Sequence, residues 1–242
     1  MADLVVVVPS RGRPGVIADM AASFDETCRA DTLMLVVVDA GSADLDDYRA
    51  AVNLAGPRVA LQVVPGGTMV KALNEAAVPL ANSDPAPTAI GFMGDDHRPR
   101  TPGWDKAYLD ALAGMGGVGI VYGNDLIQFE FVPTQCAMTS NIVRALGWMS
   151  PPTLRHMYVD TIWRDIGRKA DCLKYLPDVI VEHMHPIRGK NEWDEGYNRV
   201  NAPEVYAADE KAFLAIHGPG TRRGEIDDIA DTIRGLRTGS RG

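Results

Sequence analysis

The segment Thr88-Ala89-Ile90-Gly91-Phe92-Met93-Gly94-Asp95-Asp96-His97 contains an apolar run that stops at two adjacent carboxylates and an imidazole. The run is short and follows the turn-rich residues 82–87, so we predict a buried strand over Ala89–Met93. Ligands of open α/β sheets bind beyond the carboxyl ends of the strands. Mg²⁺ and Mn²⁺ bind carboxylate oxygens, and phosphates commonly complete their shell. The Asp pair therefore suits a metal diphosphate, and taken alone it equally suits a cap of the helix predicted after Pro102.

Three aliphatic runs precede this segment, and each is followed by apolar residues at helical spacing. The runs are Leu4–Val8, Leu33–Val38 and Val59–Val64. Runs of this length without polar alternation are typical of strands buried on both faces. Because strand and helix alternate up to Met93, we predict an α/β protein with a parallel, doubly wound sheet.

The sequence after the Asp pair changes character. Leu126–Val132 alternates like a half-exposed strand, and Gln135–Thr139 could return antiparallel to it, which predicts a small antiparallel subdomain on the substrate side. The polar segment Ile187–Ala202 is predicted to be a loop or lid. The remaining predicted helices are Pro102–Met115, Asn141–Trp148, Tyr158–Lys169 and Glu204–Ile216, and the remaining strands are Val118–Tyr122 and Val179–Val181.

The composition is that of an ordinary globular protein, with 46% hydrophobic and 23% charged residues. The net charge of -8 argues against a protein that wraps duplex nucleic acid, which requires a basic surface. No apolar stretch approaches the about 20 residues of a membrane span, and Leu4–Val8 is too short for a signal peptide, so we expect no membrane span and a cytoplasmic location. The scattered Cys28, Cys136 and Cys172 predict neither a disulfide framework nor a zinc site.

Each predicted parallel strand ends in residues that suit a nucleotide. Ser10 and Arg11 follow the first strand, Asp39 the second, Gly66 and Gly67 the third, and the Asp pair the fourth. Aspartates accept from base N–H groups or ribose hydroxyls, Arg11 or Lys71 can offset phosphate charge, and glycines let backbone N–H groups approach a phosphate. Each residue alone is as well explained by a turn or cap, but their joint occurrence favours a nucleotide site. The dinucleotide and Walker A fingerprints are absent from the sequence.

Four further side chains are candidates for chemistry. His183 and His185 face the same side if their strand continues, and imidazole ligates Mn²⁺-type ions beside carboxylates, while a hydrogen-bonded structural pair is the alternative. Asp160 opens a predicted helix and suits a catalytic carboxylate or a carboxylate that stabilises the first turn. Trp104 could stack on a sugar ring.

The chain resembles glycosyltransferases of the GT-A fold, of the family 2-like kind, over roughly residues 4–186. Its compact form, with the segment from Met93 to Pro99 and Gly103-Trp104, is similar to small bacterial and bacteriophage glycosyltransferases. The motifs that carry the resemblance are Val5-Val6-Val7-Val8-Pro9-Ser10-Arg11, Val37-Val38-Asp39-Ala40-Gly41-Ser42, Ala72-Leu73-Asn74, the DxD-like Asp95-Asp96, Val159-Asp160 and His183-x-His185-Pro186.

The resemblance implies a Rossmann-like GT-A sheet and a metal-dependent enzyme that moves a sugar from a nucleotide-diphosphate donor, with UDP-sugars favoured, to an acceptor hydroxyl. Asp96 would bind Mn²⁺ or Mg²⁺, His183 or His185 would complete the metal shell, and Asp160 matches the base of inverting members. Asp95 would contact ribose or sugar. The other residues implied in substrate binding are Pro9, Ser10, Arg11, Asp39, Gly67, Lys71, Asn74 and Trp104.

On this basis we expect a GT-A domain at residues 1–186, with a nucleotide-sugar-binding half at 1–100 and an acceptor and metal half at 101–186. Residues 187–242 would form a loop and a C-terminal helical extension, whose apolar stripe Ile226–Leu236 packs on the body or on a second subunit of a homo-oligomer. A glycan, a lipid-linked sugar, a protein and a modified DNA base are all open as acceptor.

Two other functions fit the same residues. A nucleotidyltransferase acting on sugar phosphates also uses an α/β sheet with metal carboxylates, and the segment from Ser10 to Gly15 partly fits the basic, Gly-rich loop that it requires. A non-catalytic nucleotide-sugar-binding protein, with Ile226–Leu236 as its partner-binding helix, is the third reading. Release of pyrophosphate would distinguish a nucleotidyltransferase from a sugar transferase. Hydrolysis of the donor would exclude a non-catalytic binding protein.

Overall fold

The computed structural model describes residues 2–190, 193–218 and 223–239, so parts of the predicted C-terminal extension lie outside the described residues. The strands are β1 (Leu4–Pro9), β2 (Thr32–Asp39), β3 (Val59–Val64), β4 (Ala89–Phe92), β5 (His97–Pro99), β6 (Ile120–Asn124), β7 (Cys136–Thr139) and β8 (Leu173–His183). The helices are α1 (Gly15–Thr27), α2 (Leu45–Leu54), α3 (Met69–Ala81), α4 (Trp104–Gly114), α5 (Ser140–Leu146), α6 (Val159–Lys169), α7 (Glu195–Val200), α8 (Pro203–His217) and α9 (Glu225–Gly239).

The described strands form one mixed sheet in the order β3-β2-β1-β4-β7-β6-β8-β5. The first four strands pair in parallel, with β1 between β2 and β4 and with β3 outside β2. β7 is antiparallel to both of its neighbours, β4 and β6, and β5 is antiparallel to β8. The α/β class and the parallel arrangement of the first half are therefore confirmed.

The aliphatic runs of β1 and β2 are buried on both faces of the sheet, whereas β3 at its edge is only partly buried. On β1, Val5 and Val7 pack into one core cluster, whereas Leu4, Val6 and Val8 pack into another. Side chains alternate between the two faces of a strand, so a strand covered by helices on both sides must be apolar at every position. The sequence pattern of β1 follows directly from this placement.

The segment Leu126–Val132 is not a strand, which corrects the prediction of an antiparallel partner for β7. The buried carboxylate of Asp125 accepts hydrogen bonds from the backbone N–H groups of residues 127–129, at 2.9, 2.7 and 3.1 Å. Leu126 and Phe129 adopt φ values of 64° and 51°, which a strand cannot contain. Because Asp125 turns the chain here, β7 pairs inside the main sheet and forms no separate subdomain.

The C-terminal helices pack on the body of the chain. Ile226, Ile229 and Ile233 of α9 are buried in the core, and α9 contacts α5 and α6. The apolar stripe is thus covered within its own chain, which is the first of its two predicted placements. Among the residues described, none of the helices has both the length and the apolar character that crossing a bilayer requires.

Candidate functional site

The carboxyl ends of β1, β2 and β4 open onto a cleft of about 750 Å³. Parallel strands of one sheet end at the same edge, so residues far apart in sequence meet there. The cleft is lined by most of the residues predicted to form the site, namely Pro9, Ser10, Arg11, Asp39, Gly67, Asp95, Asp96, Asp160, His183 and His185.

A chain of hydrogen bonds holds Asp95 at the end of β4. Ser10 Oγ donates to Asp95 Oδ2 at 2.6 Å and lies 2.7 Å from the hydroxyl of Tyr48, which also accepts the backbone N–H of Arg13. Because Ser10 gives its one hydroxyl proton to Asp95, the hydroxyl of Tyr48 donates to Ser10. Burial raises the pKa of Tyr48 to about 12. The guanidinium of Arg13 lies 3.2 Å from the other oxygen of Asp95. The orientation of Asp95 is therefore fixed from two sides.

The two adjacent aspartates have opposite electrostatic environments. Burial, and then the charge of Asp96, raise the pKa of Asp95 to about 6. Burial also acts to raise the pKa of Asp96, but hydrogen bonds and charge from His183 and His97 hold it well below its ordinary value. Asp96 is consequently the carboxylate that is ionised over the whole neutral range, as a metal ligand must be.

Strand β5 brings a second imidazole to Asp96. In the antiparallel pairing of β5 with β8, His97 lies opposite His183, and their rings stack with centroids 4.2 Å apart. His183 Nε2 is 3.2 Å from Asp96 Oδ2, and His97 Nδ1 is 3.3 Å from Asp96 Oδ1. Two imidazoles therefore flank one carboxylate on its two oxygens.

Asp96, His97 and His183 can each offer a ligand atom within 4.8 Å of the others. A carboxylate with two imidazoles suits a borderline cation of the Mn²⁺ type. Nε2 of His183 is the nitrogen that lies beside Asp96, whereas its buried Nδ1 lies 3.9 Å from Asp125 Oδ2. The residues thus fit a divalent cation.

His185 lines the same cleft but lies outside this cluster of three, so of the two histidines predicted to complete the metal shell it is His183 that lies beside Asp96. Its Nδ1 accepts the backbone N–H of Ile187 at 3.2 Å, and its ring is 5.2 Å from that of His183. The chain turns after β8, so the two histidines do not continue along one strand face. His97 takes the place that the sequence assigned to His185.

Arg11 joins three strand ends. Its guanidinium forms an ion pair with Asp39 at the end of β2 and donates to the carbonyl of Gly67 at 3.0 Å. Asp39 is thus paired with a cation, and Gly67 exposes backbone to the cleft. Arg11 and Asp39 both line the cleft.

Asp160 is half-buried in the first turn of α6 and faces the cleft. Its Oδ1 accepts the backbone N–H of Thr161 at 2.7 Å, and Oδ2 accepts no hydrogen bond from the described residues. Burial raises the pKa of Asp160. The free oxygen therefore belongs to a stronger base than an ordinary aspartate.

The prediction that Trp104 contacts a sugar is wrong. Its ring is fully buried and packs edge-on against Phe24 and Tyr108, with centroids 5.4 and 5.3 Å away. The first turn of α4 directs the indole into the core below the cleft. Burial of this kind makes Trp104 a packing residue.

Asn74 and Lys71 do not line the cleft. The amide of Asn74 holds the loop after α5, because it donates to the carbonyl of Ser150 at 2.7 Å and accepts the N–H groups of Met149 and Ser150. These bonds give Asn74 a structural role, and its predicted contact with the donor stays a prediction. Lys71 is half-exposed, and its ammonium lies 3.2 Å from the carbonyl of Gly66 at the rim.

The sequence analysis did not select two residues that contact the site, Asp194 at the N-cap of α7 and Tyr197 within that helix. Asp194 accepts two hydrogen bonds of 2.6 Å from Arg13, and the ring of Tyr197 lies 4.0 Å below the same guanidinium. The Tyr197 hydroxyl donates to Asp96 Oδ2 at 2.8 Å. The N-cap pattern at Asp194 was a readable sign of a helix in the predicted loop. Nothing in the sequence links Tyr197 to Asp96, which lies 101 residues away.

Neither a protein-family model nor a curated protein matches the sequence. Solved structures do match its fold. A fragment of S. aureus TarS in complex with UDP-GlcNAc is similar with a TM-score of 0.65 and 11% identity, over 99% of this chain and 72% of that one. The mannosyltransferase PcManGT from Pyrobaculum calidifontis, in complex with GDP-Man and Mn²⁺, gives 0.54 and 14%, over 98% and 75%.

Glucosyl-3-phosphoglycerate synthase from Mycobacterium tuberculosis, in complex with Mn²⁺, UDP and glucosyl-3-phosphoglycerate, gives a TM-score of 0.54 and 14% identity, over 86% of this chain and 78% of that one. At this identity the similarity concerns the fold. The chain has the GT-A fold of glycosyltransferases, as the sequence resemblance implied.

Proposed function

We propose that the chain is a glycosyltransferase that moves a sugar from a nucleotide-diphosphate donor, with UDP-sugars favoured, to an acceptor hydroxyl. One observation carries the proposal: the strand-end residues suited to a nucleotide, the candidate cation cluster and the free carboxylate oxygen of Asp160 all face one cleft. The TarS, PcManGT and synthase complexes contain UDP-GlcNAc, GDP-Man and UDP, which are ligands of the proposed class.

The donor would lie along the carboxyl edge of the sheet. Asp39 and Asp95 offer carboxylate oxygens to base or ribose groups, and the backbone at Gly67 allows close approach of a phosphate. Arg13 lies within 3.2 Å of Asp95 and supplies positive charge on the same side. This set of donors and acceptors favours a nucleoside diphosphate over a neutral sugar alone.

Asp96, His97 and His183 would hold Mn²⁺ or Mg²⁺. When bound, such an ion neutralises charge that develops on a leaving diphosphate. Ionised Asp96 supplies the negative charge that attracts the ion. Burial acts to lower the pKa of His183, but hydrogen bonds to Asp125 and Asp96 raise it to about 9, so this imidazole would release a proton when it becomes a nitrogen ligand.

Asp160 would act as the general base. Its free Oδ2 faces the cleft and can take the proton of the acceptor hydroxyl that attacks the anomeric carbon, with the bond to the diphosphate breaking as the new glycosidic bond forms. Burial raises the pKa of Asp160, which brings its basicity closer to neutral pH.

The first test is thermal stabilisation by nucleotides and nucleotide sugars, with and without Mn²⁺. A ligand at 100 times its Kd adds about 2.7 kcal/mol to the free energy of unfolding. We expect a shift in Tm that requires both Mn²⁺ and one nucleoside diphosphate and that is lost in Asp96→Ala. Asp110→Ala removes an exposed carboxylate that pairs with Lys106 and serves as the matched control.

The absence of any shift with all ligands would contradict the proposed function. Hydrolysis of the stabilising nucleotide sugar, followed as release of the nucleoside diphosphate, then separates an enzyme from a binding protein. Release of pyrophosphate from a nucleoside triphosphate and a sugar phosphate would instead identify a nucleotidyltransferase.

A further inference from the structure

Helix α8 holds the turn that leads into α6 and Asp160. Arg155, His156 and Met157 of this turn line the cleft. Asp209 of α8 is fully buried, and its carboxylate accepts the backbone N–H groups of these three residues at 2.9, 2.8 and 2.7 Å. One side chain of the C-terminal extension therefore fixes three consecutive residues of the cleft wall.

A carboxylate is required for this arrangement. Oδ1 of Asp209 accepts one N–H group and Oδ2 accepts two. An asparagine has a single acceptor oxygen, and its NH₂ group would face an N–H group without a partner. A buried carboxylate is costly unless it is hydrogen-bonded, so the bonds to the turn account for a charged residue at a position of 0% exposure.

Two further contacts fasten α8 to α6. Tyr158, the residue before α6, has a backbone φ of 65°. Its ring stacks on that of Phe213 of α8, with centroids 4.8 Å apart. His217 of α8 lies 2.9 Å from a carboxylate oxygen of Asp165 on α6. The start of α6 is therefore held at its turn and again along its length.

The side chain of Asp160 is not hydrogen-bonded to another helix or strand among the described residues. Its hydrogen bonds among the described residues are to Thr161, the next residue in the same helix. The position of its free oxygen in the cleft consequently depends on where α6 begins. That point is set by the turn that Asp209 holds.

We propose that Asp209 is a positioning residue for the transfer reaction, which aims Asp160 into the cleft by fixing the turn at residues 155–157. The proposal rests on the proposed role of Asp160 as base. A displacement of about 1 Å at a reacting group costs about 10²-fold in rate, so the loss of these hydrogen bonds lowers turnover without removing a group that contacts substrate.

Asp105 provides a matched control. It is also fully buried, and it accepts the N–H groups of Arg29, Ala30 and Lys106 and the hydroxyl of Thr32, at a distance from the cleft. Asp209→Asn and Asp105→Asn thus make the same chemical change in two buried carboxylates. Only the first of them touches the cleft wall.

The experiment compares the two variants in four measurements: Tm, hydrogen exchange of the peptide covering residues 153–159, affinity for UDP with Mn²⁺, and initial rate of UDP release from UDP-glucose. For Asp209→Asn we expect faster exchange in that peptide, unchanged UDP affinity and turnover lower by about 10²-fold. For Asp105→Asn we expect a comparable loss of Tm with wild-type turnover.

Equal turnover of the two variants at equal Tm would overturn the proposal, and so would unchanged exchange at residues 153–159 in Asp209→Asn. If that variant does not fold, Phe213→Leu removes the ring stacked on Tyr158 but keeps the carboxylate, and the same lowered turnover with intact UDP affinity is expected. A wild-type chain that is stabilised by none of the nucleotides and nucleotide sugars would refute the proposed function, while the exchange measurement still decides whether Asp209 holds the turn.

Discussion

Asp160→Asn is expected to remove most of the sugar transfer and to leave the fold and nucleotide binding intact. The side chain receives its hydrogen bonds from Thr161 on Oδ1, at 2.7 and 3.3 Å, and the oxygen of an asparagine can accept both. The substitution therefore changes only the basic Oδ2 that faces the cleft. A general base contributes about 10²- to 10⁴-fold to the rate, which corresponds to about 3–5 kcal/mol in the activation free energy.

The stability of the variant provides the control. Burial raises the pKa of Asp160 in the folded chain, so the folded state binds its proton more tightly than the unfolded state. The ionised carboxylate therefore destabilises the fold as the pH rises above the ordinary aspartate range and through the raised pKa. Asparagine has no such cost, and the free energy of unfolding of Asp160→Asn in urea should equal or exceed that of the wild type at pH 8.

The assay is the initial rate of UDP release from the UDP-sugar that gives the largest Tm shift, measured beside UDP affinity. A wild-type rate in Asp160→Asn would refute the role of Asp160 as base and favour a retaining reaction, which needs no such group. A lower rate that is accompanied by a lower free energy of unfolding would trace the loss to misfolding instead.

Two further substitutions test the assignment of core and site. Trp104→Ala should lower the free energy of unfolding in urea by about 3–5 kcal/mol, because a fully buried ring is lost. Unchanged nucleotide affinity per folded molecule would show that Trp104 acts in packing and not in sugar binding. Asp95→Asn should become more stabilising, by up to about 3 kcal/mol, as the pH rises from about 4 to about 6, and its effect should be constant above that range. The reason is that burial and the charge of Asp96 raise the pKa of Asp95 to about 6, so within that range the unfolded chain has released a proton that the folded chain still holds. A stability difference from wild type that is flat between pH 4 and pH 8 in urea titrations would contradict this environment for Asp95.

The first half of the fold could be predicted from sequence because each strand there is an aliphatic run and each helix has an apolar face. Strands β1, β2 and β4 are buried almost throughout, and β3 pairs beside β2, which leaves little ambiguity. Their carboxyl ends define the edge where ligands bind. The convergence of Ser10, Arg11, Asp39 and Asp96 on one cleft follows from that topology alone.

The second half was less readable because single polar side chains override the local pattern. The alternation after Leu126 is typical of a strand, yet the carboxylate of Asp125 binds three successive N–H groups and turns the chain. His97 joins Asp96 only because a three-residue strand pairs with β8, and no periodicity reveals a strand so short. Trp104 was misassigned because an aromatic residue near a site looks the same in sequence whether its helix turns it inward or outward.

The antiparallel strand β7 has a consequence for shortened versions of the chain. β1 to β4 all come from the first 92 residues, and β7 covers the free side of β4. A chain that stops before Cys136 would present the apolar Ala89–Phe92 with unpaired backbone groups, and such an edge recruits further strands from other molecules. We expect a fragment of residues 1–100 to elute as an aggregate in size-exclusion chromatography. The nucleotide-sugar-binding half predicted at residues 1–100 would then not be an independent folding unit, whereas a monomeric fragment would show that it is.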